Sequence, residues 1–348
     1  MMAACLLVAC SSDSPEEPLP PVPPTPTPVD PEEPEEPKVT GNTLYLGDIV
    51  LFGATRASDP VTQSSIELYT TYKDGDGVWT YDAGRVTRRS DNVWQSLVTV
   101  KKDVEYWIYG FMPADAVVNP QIDYRPNYAD YSKGVVFKFN GLPAVTKDDL
   151  CMLVGAKKYE TANPAAVEGK FYYKGVDNDN KVSLKFTHLF ASLDFQIRVA
   201  DDYDKLRIIQ LKKMQLESSL ASLDATVRIT NEGTPVMDTK FTKNAGSHTA
   251  DITLNDTDGK GLKLTTTSQK IAGFCAPNFS ETVTLITTYD VYDKQGNLLR
   301  ENCTVRNKMP NLSKLKSGDK KTLKLLIQPT YLYVLSDPDL DSPTVELN

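Results

Sequence analysis

Leu223-Asp224-Ala225-Thr226-Val227-Arg228-Ile229 sets an apolar side chain at every second position with a polar one between each pair. Successive side chains of a strand point to opposite faces, so this stretch reads as a β-strand with one face on a core and the other in water. The same period of two recurs outward in both directions. Toward the N-terminus it is carried by Leu193, Phe195, Ile197 and Val199, by Val182, Leu184 and Phe186, by Val135, Phe137 and Phe139, by Val104, Tyr106 and Ile108, and by Ile66 and Leu68. Leu44, Leu46, Val50 and Phe52 are read as one apolar face of a first strand, with Asp48 interrupting. Toward the C-terminus, Val283, Leu285, Tyr289 and Val291 run into Asp293-Lys294-Gln295-Gly296-Asn297, a hairpin turn by composition because Gly and Asn tolerate positive φ. Val305 and then Leu323, Leu325 and Ile327 complete the set.

Long helical periodicity is absent; at most a short turn is expected around 146–150 or 202–206. Many short strands separated by turn residues predict an all-β fold of two tandem antiparallel β-sandwich domains, transthyretin- or Ig-like. The strands are too many for one sandwich, and a boundary at 187–192 gives an N-terminal sandwich at 43–190 and a C-terminal one at 191–330. Trp79, Trp94 and Trp107 all fall in the first.

With 348 residues, a net charge of −8 and scattered Lys and Arg, the chain lacks the basic stripe of a nucleic-acid binder and any polybasic membrane patch. The cysteines are Cys5, Cys10, Cys151, Cys275 and Cys303, with no C-x-x-C spacing, and the histidines are only His188 and His248. No zinc site, other metal centre or cofactor is expected on that basis. Cys275 and Cys303 are open to two readings, a cross-strand disulfide or two buried thiols.

A nucleophilic triad needs a base held by a carboxylate. The one serine–histidine neighbour pair, Ser247-His248, lies in a stretch that reads as a turn, and no acid stands out to orient it. His188 is expected to be packed and hydrogen-bonded. The acidic runs at 74–77, 177–180 and 255–259 lack the closing glutamate of an EF-hand loop and read as turns. Tyr106-Trp107-Ile108-Tyr109 could form a sugar-stacking platform, but alternation predicts core packing on both faces. The chain is therefore not expected to be an enzyme.

At the N-terminus, Met1 to Ala9 form an apolar run ending at Cys10, and Leu7-Val8-Ala9-Cys10 resembles a lipobox whose cysteine is diacylated. Residues 1–9 read as an incomplete signal peptide, the start falling inside a longer one. Ser11-Ser12-Asp13-Ser14-Pro15-Glu16-Glu17 resembles the surface-export signal of Bacteroidetes lipoproteins. The Pro- and Glu-rich stretch from 15 to 38 cannot build a core and is expected to be an extended polyproline II stalk, on the order of 70 Å long. Residues 10–42 are thus a lipidated cysteine and its linker.

Several segments together resemble the Bacteroidetes fimbrillins, lipoprotein precursors of surface pili. Lys185-Phe186-Thr187-His188-Leu189-Phe190-Ala191-Ser192-Leu193-Asp194-Phe195 is similar to their phenylalanine-x-histidine segment between domains. Tyr109-Gly110-Phe111-Met112-Pro113 resembles their first-domain strand ending in aromatic-x-proline, and 315–323 the glycine turn before their final sheet strand. The resemblance implies a pilus (fimbria) subunit exported to the cell outer membrane and assembled by strand exchange. An arginine-specific protease clips the precursor and frees its first strand, and the next subunit fills the groove. Arg56 is the expected scissile residue, with Arg85, Arg88 and Arg89 as rivals. Leu44, Leu46, Val50 and Phe52 would be displaced, and Tyr331, Leu332, Tyr333, Val334 and Leu335, in a C-terminal extension at 331–348, would form the donor strand. The implied partners are other pilus subunits, the outer membrane through the lipid anchor, and the protease; nucleic acid is not among them. A glycan-binding outer-membrane lipoprotein shares the lipobox, linker and sandwiches and is the alternative. A secreted hydrolase is disfavoured by the lack of a catalytic constellation.

Overall fold

The computed structural model describes residues 43–52, 61, 64–73, 75–117, 120–123, 134–159, 172–176, 179–230, 236–252, 254, 256, 259–276, 283–309 and 315–328. The chain divides into two units, Met1–Lys38 and Val39–Asn348, and every described residue belongs to the second.

The first half holds β1 (Tyr45–Phe52), β2 (Ser65–Lys73), β3 (Trp79–Arg88), β4 (Trp94–Ser96), β5 (Glu105–Met112), β6 (Gln121–Asp123), β7 (Gly134–Pro143), β8 (Cys151–Lys158), β9 (Tyr172–Lys174) and β10 (Lys181–His188). The second holds β11 (Ala191–Val199), α1 (Asp201–Asp204), β12 (Ile208–Thr230), β13 (Val236–Asp251), β14 (Leu262–Lys263), β15 (Gln269–Ala276), β16 (Val283–Tyr292), β17 (Leu298–Met309) and β18 (Lys320–Ile327). Apart from α1, one 3-10 turn at Ala114–Ala116 is the only helical element among the described residues. No helix among them is long and apolar enough to cross a membrane.

Three sheets result. An eight-stranded sheet runs β1-β10-β8-β5-β2-β3-β4, with β9 on β5. Its two ends approach each other: Thr43 bridges Thr99, and the Leu44 N–H donates to the Val98 carbonyl at 2.8 Å. A three-stranded sheet runs β15-β11-β18, and a seven-stranded one runs β17-β16-β12-β7-β6, with β13 and β14 also on β12.

The all-β expectation holds, with one correction to the antiparallel reading: β1 pairs β10 in parallel, and β18 pairs β11 in parallel. Short hairpins force antiparallel pairing, whereas parallel partners need a long connection. The first and last described strands are each far in sequence from their partners, so nothing local fixes their direction.

The quoted stretch 223–229 lies at the end of β12, where Leu223, Ala225, Val227 and Ile229 are buried as the alternation predicts. Earlier in the same strand the buried set is Ile209 and Leu211, then Met214, Leu216 and Leu220. The phase switches at register shifts between Leu211 and Lys213 and between Leu220 and Ser222. A bulge inserts one residue and thereby exchanges the two faces of a strand. β12 consequently serves two cores. Ile209 through Leu216 pack with Leu193, Phe195 and Phe274, while Ala225, Val227 and Ile229 pack with Phe137, Phe139 and the barrel-like first sheet. One flank of β12 carries β16 over 208–218 and β7 over 222–230. At the turn between β10 and β11 the core also changes, with Phe190 in the first and Ala191 in the second.

One further reading is adjusted and another holds. Ser247-His248 is not in a turn: both lie in β13, with His248 opposite Ser218. Gly246, at φ 134° against the Ala221 side chain, makes the bulge that looks like turn chemistry in sequence. In β5, Tyr106 and Ile108 face one way and Tyr109 the other, and all three are buried, which matches core packing on both faces.

Candidate functional site

The first strand is the element on which strand exchange would turn. β1 has the sequence YLGDIVLF and pairs with β10 from Tyr45 opposite Lys181 to Phe52 opposite Thr187. It ends its sheet, so among the described residues it is paired along its length on one flank alone, apart from the contacts of Thr43 and Leu44 with the segment after β4. Leu44 is fully buried, and Leu46 and Leu51 are 8% and 5% exposed within the first core. Buried apolar side chains plus one ladder of hydrogen bonds therefore hold it.

The apolar face is not the one the spacing suggested. The register shifts between Leu46 and Asp48, with Gly47 in the gap. A side chain at Gly47 would overlap the ring of Tyr159, over which Lys181 Nζ sits at 4.5 Å. Past this bulge the inward set is Ile49 and Leu51, while Val50 is half-buried. Asp48, which interrupts the pattern in sequence, turns its carboxylate back to accept the Ile49 N–H at 2.9 Å. The side chain of Phe52 lies outside the described residues.

Cys10, Arg56 and Tyr331, Leu332, Tyr333, Val334 and Leu335 also lie outside the described residues. The rival arginines do not. Arg85 pairs with Glu67 at 3.3 Å and Asp115 at 2.8 Å, and Arg88 donates to the Val61 carbonyl at 2.8 Å. Both sit in β3, hydrogen-bonded between β2 and β4. Arg89 pairs with Asp91 at 3.3 Å in the following turn.

At the other end of the chain β18 closes the three-stranded sheet. Asp194 of β11 lies between Lys270 of β15, at 3.7 Å, and Lys320 of β18, at 3.4 Å, so one carboxylate ties both flanking strands to the central one. Leu323, Leu325 and Ile327 lean on the second core but stay half-buried, and Leu326 is exposed on the opposite face.

Cys275 and Cys303, whose pairing was open, lie in different sheets and are not joined by a disulfide. His188 is buried as expected, its Nδ1 2.6 Å from Asp149 Oδ2. The turn reading of the acidic runs also has structural support: Asn180 Oδ1 accepts from the Val176 N–H, and Asp256 Oδ2 from the Gly261 N–H.

No family model and no curated protein matches the chain. Solved structures do. The chain is similar to Bacteroidetes fimbrial proteins. A fimbrial protein from Bacteroides vulgatus aligns at 10% identity and TM-score 0.36 over 82% of this chain and 96% of its own. The fimbrial anchor protein Mfa2 from Porphyromonas gingivalis aligns at 12% identity and TM-score 0.28 over 82% and 90%. A candidate polysaccharide-binding protein from Bacteroides thetaiotaomicron aligns at 8% identity and TM-score 0.33 over 82% and 90%. With TM-scores below 0.5 these stand as similarities and no more.

Proposed function

We propose that the chain is a structural subunit of a bacterial surface pilus, exported as a lipoprotein through Cys10 and assembled by protease-triggered strand exchange in support of adhesion. The observation that carries this reading is β1. It is the first described strand, paired on one flank among the described residues, with Leu46 and Leu51, and Leu44 just ahead of them, buried in the first core. Its loss would expose three apolar pockets and a row of unpaired backbone groups on β10, an arrangement that takes up an extended segment by β-augmentation.

Cleavage after Arg56 frees this strand. Arg85 and Arg88 are poor substrates because a protease needs an extended, unpaired segment, and both belong to a strand paired on both flanks. The donor is the C-terminal extension, in which Tyr331, Tyr333 and Leu335, or Leu332 and Val334, take the places of the β1 leucines in a neighbouring copy. The body works as two sandwiches, 43–190 and 191–330, stitched by β12, and the polymer stands on the cell outer membrane.

The test is peptide capture. A fluorescent synthetic peptide of residues 329–348 is expected to bind the chain stably after cleavage at Arg56 and removal of the N-terminal fragment. It is not expected to bind the uncut chain. Equal binding to both, or to neither, rejects the assignment.

A glycan-binding surface lipoprotein is the second reading, favoured by one observation. Tyr81 is 63% exposed and Val78 59%, beside half-buried Trp79 and Trp107, whose rings lie 5.4 Å apart. Calorimetric titration with soluble polysaccharides, repeated on Tyr81→Ala, decides it: heat that disappears in the variant supports this reading, and no heat with any of them removes it.

A further inference from the structure

The cross-strand pairing of β8 with β10 gathers three unlike donors that sequence spacing keeps apart. Cys151, the first residue of β8, lies opposite His188, the last of β10. Asp149 sits two residues before, in the segment leading into β8. His188 Nδ1 is 2.6 Å from Asp149 Oδ2 and 3.3 Å from Cys151 Sγ, and Sγ is 3.8 Å from Oδ2. His188 is 1% exposed, Cys151 is fully buried, and the Asp149 side chain is 11% exposed. Among the described residues no other group of three such side chains converges in this way. We propose that Asp149, Cys151 and His188 form a binding site for a zinc-class divalent cation, independent of the pilus reading.

The donor set decides the class of ion. One thiolate, one imidazole nitrogen and one carboxylate suit Zn²⁺, a borderline-soft four-coordinate ion that with three protein ligands takes water as the fourth. Calcium and magnesium require six or more oxygens, which this apolar surround of Leu150, Met152, Leu189 and Phe190 does not offer. Bond lengths of about 2.0–2.3 Å put tetrahedral ligands about 3.3–3.7 Å apart. The Sγ–Nδ1 and Sγ–Oδ2 separations are already close to this. Only Nδ1 and Oδ2 must part, by about 0.7 Å on that geometry. Asp149 can supply the movement because it lies outside the ladder, in the connecting segment before β8, whereas Cys151 and His188 are fixed by the ladder between their strands.

The protons balance simply. Without metal, the Nδ1–H points to the carboxylate and the thiol keeps its proton. With metal on Nδ1 and Sγ, the imidazole holds its one proton on Nε2 and the thiol proton leaves to solvent, so one H⁺ is released per ion. His188 Nε2 is buried, with no hydrogen-bond partner among the described residues. Moving the proton there carries a desolvation cost that the metal–thiolate bond must exceed. The site lies at the turn where the chain passes from the first core to the second, between Phe190 and Ala191. An ion there would fasten the β8–β10 end of the first sheet at that passage.

The test uses the full chain, refolded with and without one equivalent of Zn²⁺, and then with Co²⁺ as an optical probe. Expected are one zinc per chain after dialysis, a Tm rise of about 5 °C at a hundredfold excess over Kd, and a sulfur-to-cobalt charge-transfer band in the near ultraviolet. Cys151→Ser is expected to lose the band and Cys275→Ser to keep it. Substoichiometric zinc with an unchanged Tm overturns the proposal in the wild-type chain alone, whatever the folding of the variants. A cobalt spectrum without the thiolate band, or one lost with Cys275 or Cys303 instead, overturns it as well.

Discussion

Replacing Leu51 and Val50 by alanine, one at a time, separates the bulged first strand from an unbroken alternating one. Leu51 is 5% exposed and packs in the first core, whereas Val50, past the bulge at Gly47, is half-buried. Emptying a buried leucine site costs about 2–4 kcal/mol through lost transfer energy and the cavity left behind. Removing two methyl groups from a half-wetted valine costs about 0.5–1 kcal/mol. Trp79, Trp94 and Trp107 belong to the same sheet as β1, so their fluorescence during denaturant titration reads the stability of this region directly. The same difference governs how fast β1 leaves after cleavage. At a factor of ten per 1.4 kcal/mol, Leu51→Ala should speed release of the fragment about 30- to 700-fold, and Val50→Ala by less than about sixfold. A Val50→Ala variant as destabilised and as fast as Leu51→Ala would refute the placement of the bulge and the reasoning built on it.

Gly47→Ala should destabilise β1 by about 1–3 kcal/mol through overlap with the Tyr159 ring, and Tyr159→Ala in the same chain should restore most of the loss in a double-mutant cycle followed by tryptophan fluorescence. Burial, and secondarily Glu67, push the Tyr69 hydroxyl up to about 12. Burial also raises the Tyr106 and Tyr173 hydroxyls. Because the folded state favours their neutral form, this stability is complete below the ordinary tyrosine range and falls as pH rises from about 10 toward the folded value. Tyrosinate absorbance and circular dichroism should therefore show delayed ionisation followed by unfolding above that range. Immediate titration of every tyrosine near 10 with the fold intact would contradict the burial. Asp194→Asn removes the carboxylate shared by Lys270 and Lys320, and hydrogen exchange of β18 amides should accelerate while that of β11 stays slow.

Much of this architecture was legible where neighbouring residues decide it. Leu223 through Ile229 alternate in sequence and in space because the extra residue at the register shift between Leu223 and Ala225 falls on β7 and not on β12. The hairpin at 293–297 closes as its residues predict, with the Asn297 N–H donating to Asp293 Oδ1 at 2.7 Å. Bulges mark where local reading ends. At Gly47 one inserted residue exchanged Val50 for Leu51 on the inner face, and at Gly246 a bulge in a long strand imitated a turn. The parallel docking of β1 and β18 has no local signal at all, since it is set by which edge each finds after the rest has folded.

The proposed site of exchange was legible only as a strand with an arginine after it. Arg56, Cys10 and the segment from Tyr331 to Leu335 are known from sequence, and Leu44 and Leu46 are buried in the first core. The Asp149, Cys151 and His188 group escaped the reading for a different reason. Its only sequence trace is the Asp-x-Cys pair, and His188 joins it through strand register, which spacing rules for metal ligands do not capture. The expectation of no metal rested on those spacing rules and on the presence of only two histidines.

The central claim is that one copy lends its C-terminal segment to the place that β1 occupies in another. Treating the full chain with an arginine-specific protease, alongside a copy ending at residue 330, and running both unheated in SDS tests it most directly. The account predicts a ladder of regularly spaced bands from the full chain, starting from a product that lacks residues up to Arg56, and a single band from the shortened copy. Clean cutting at Arg56 with no ladder from either, or equal ladders from both, would contradict it.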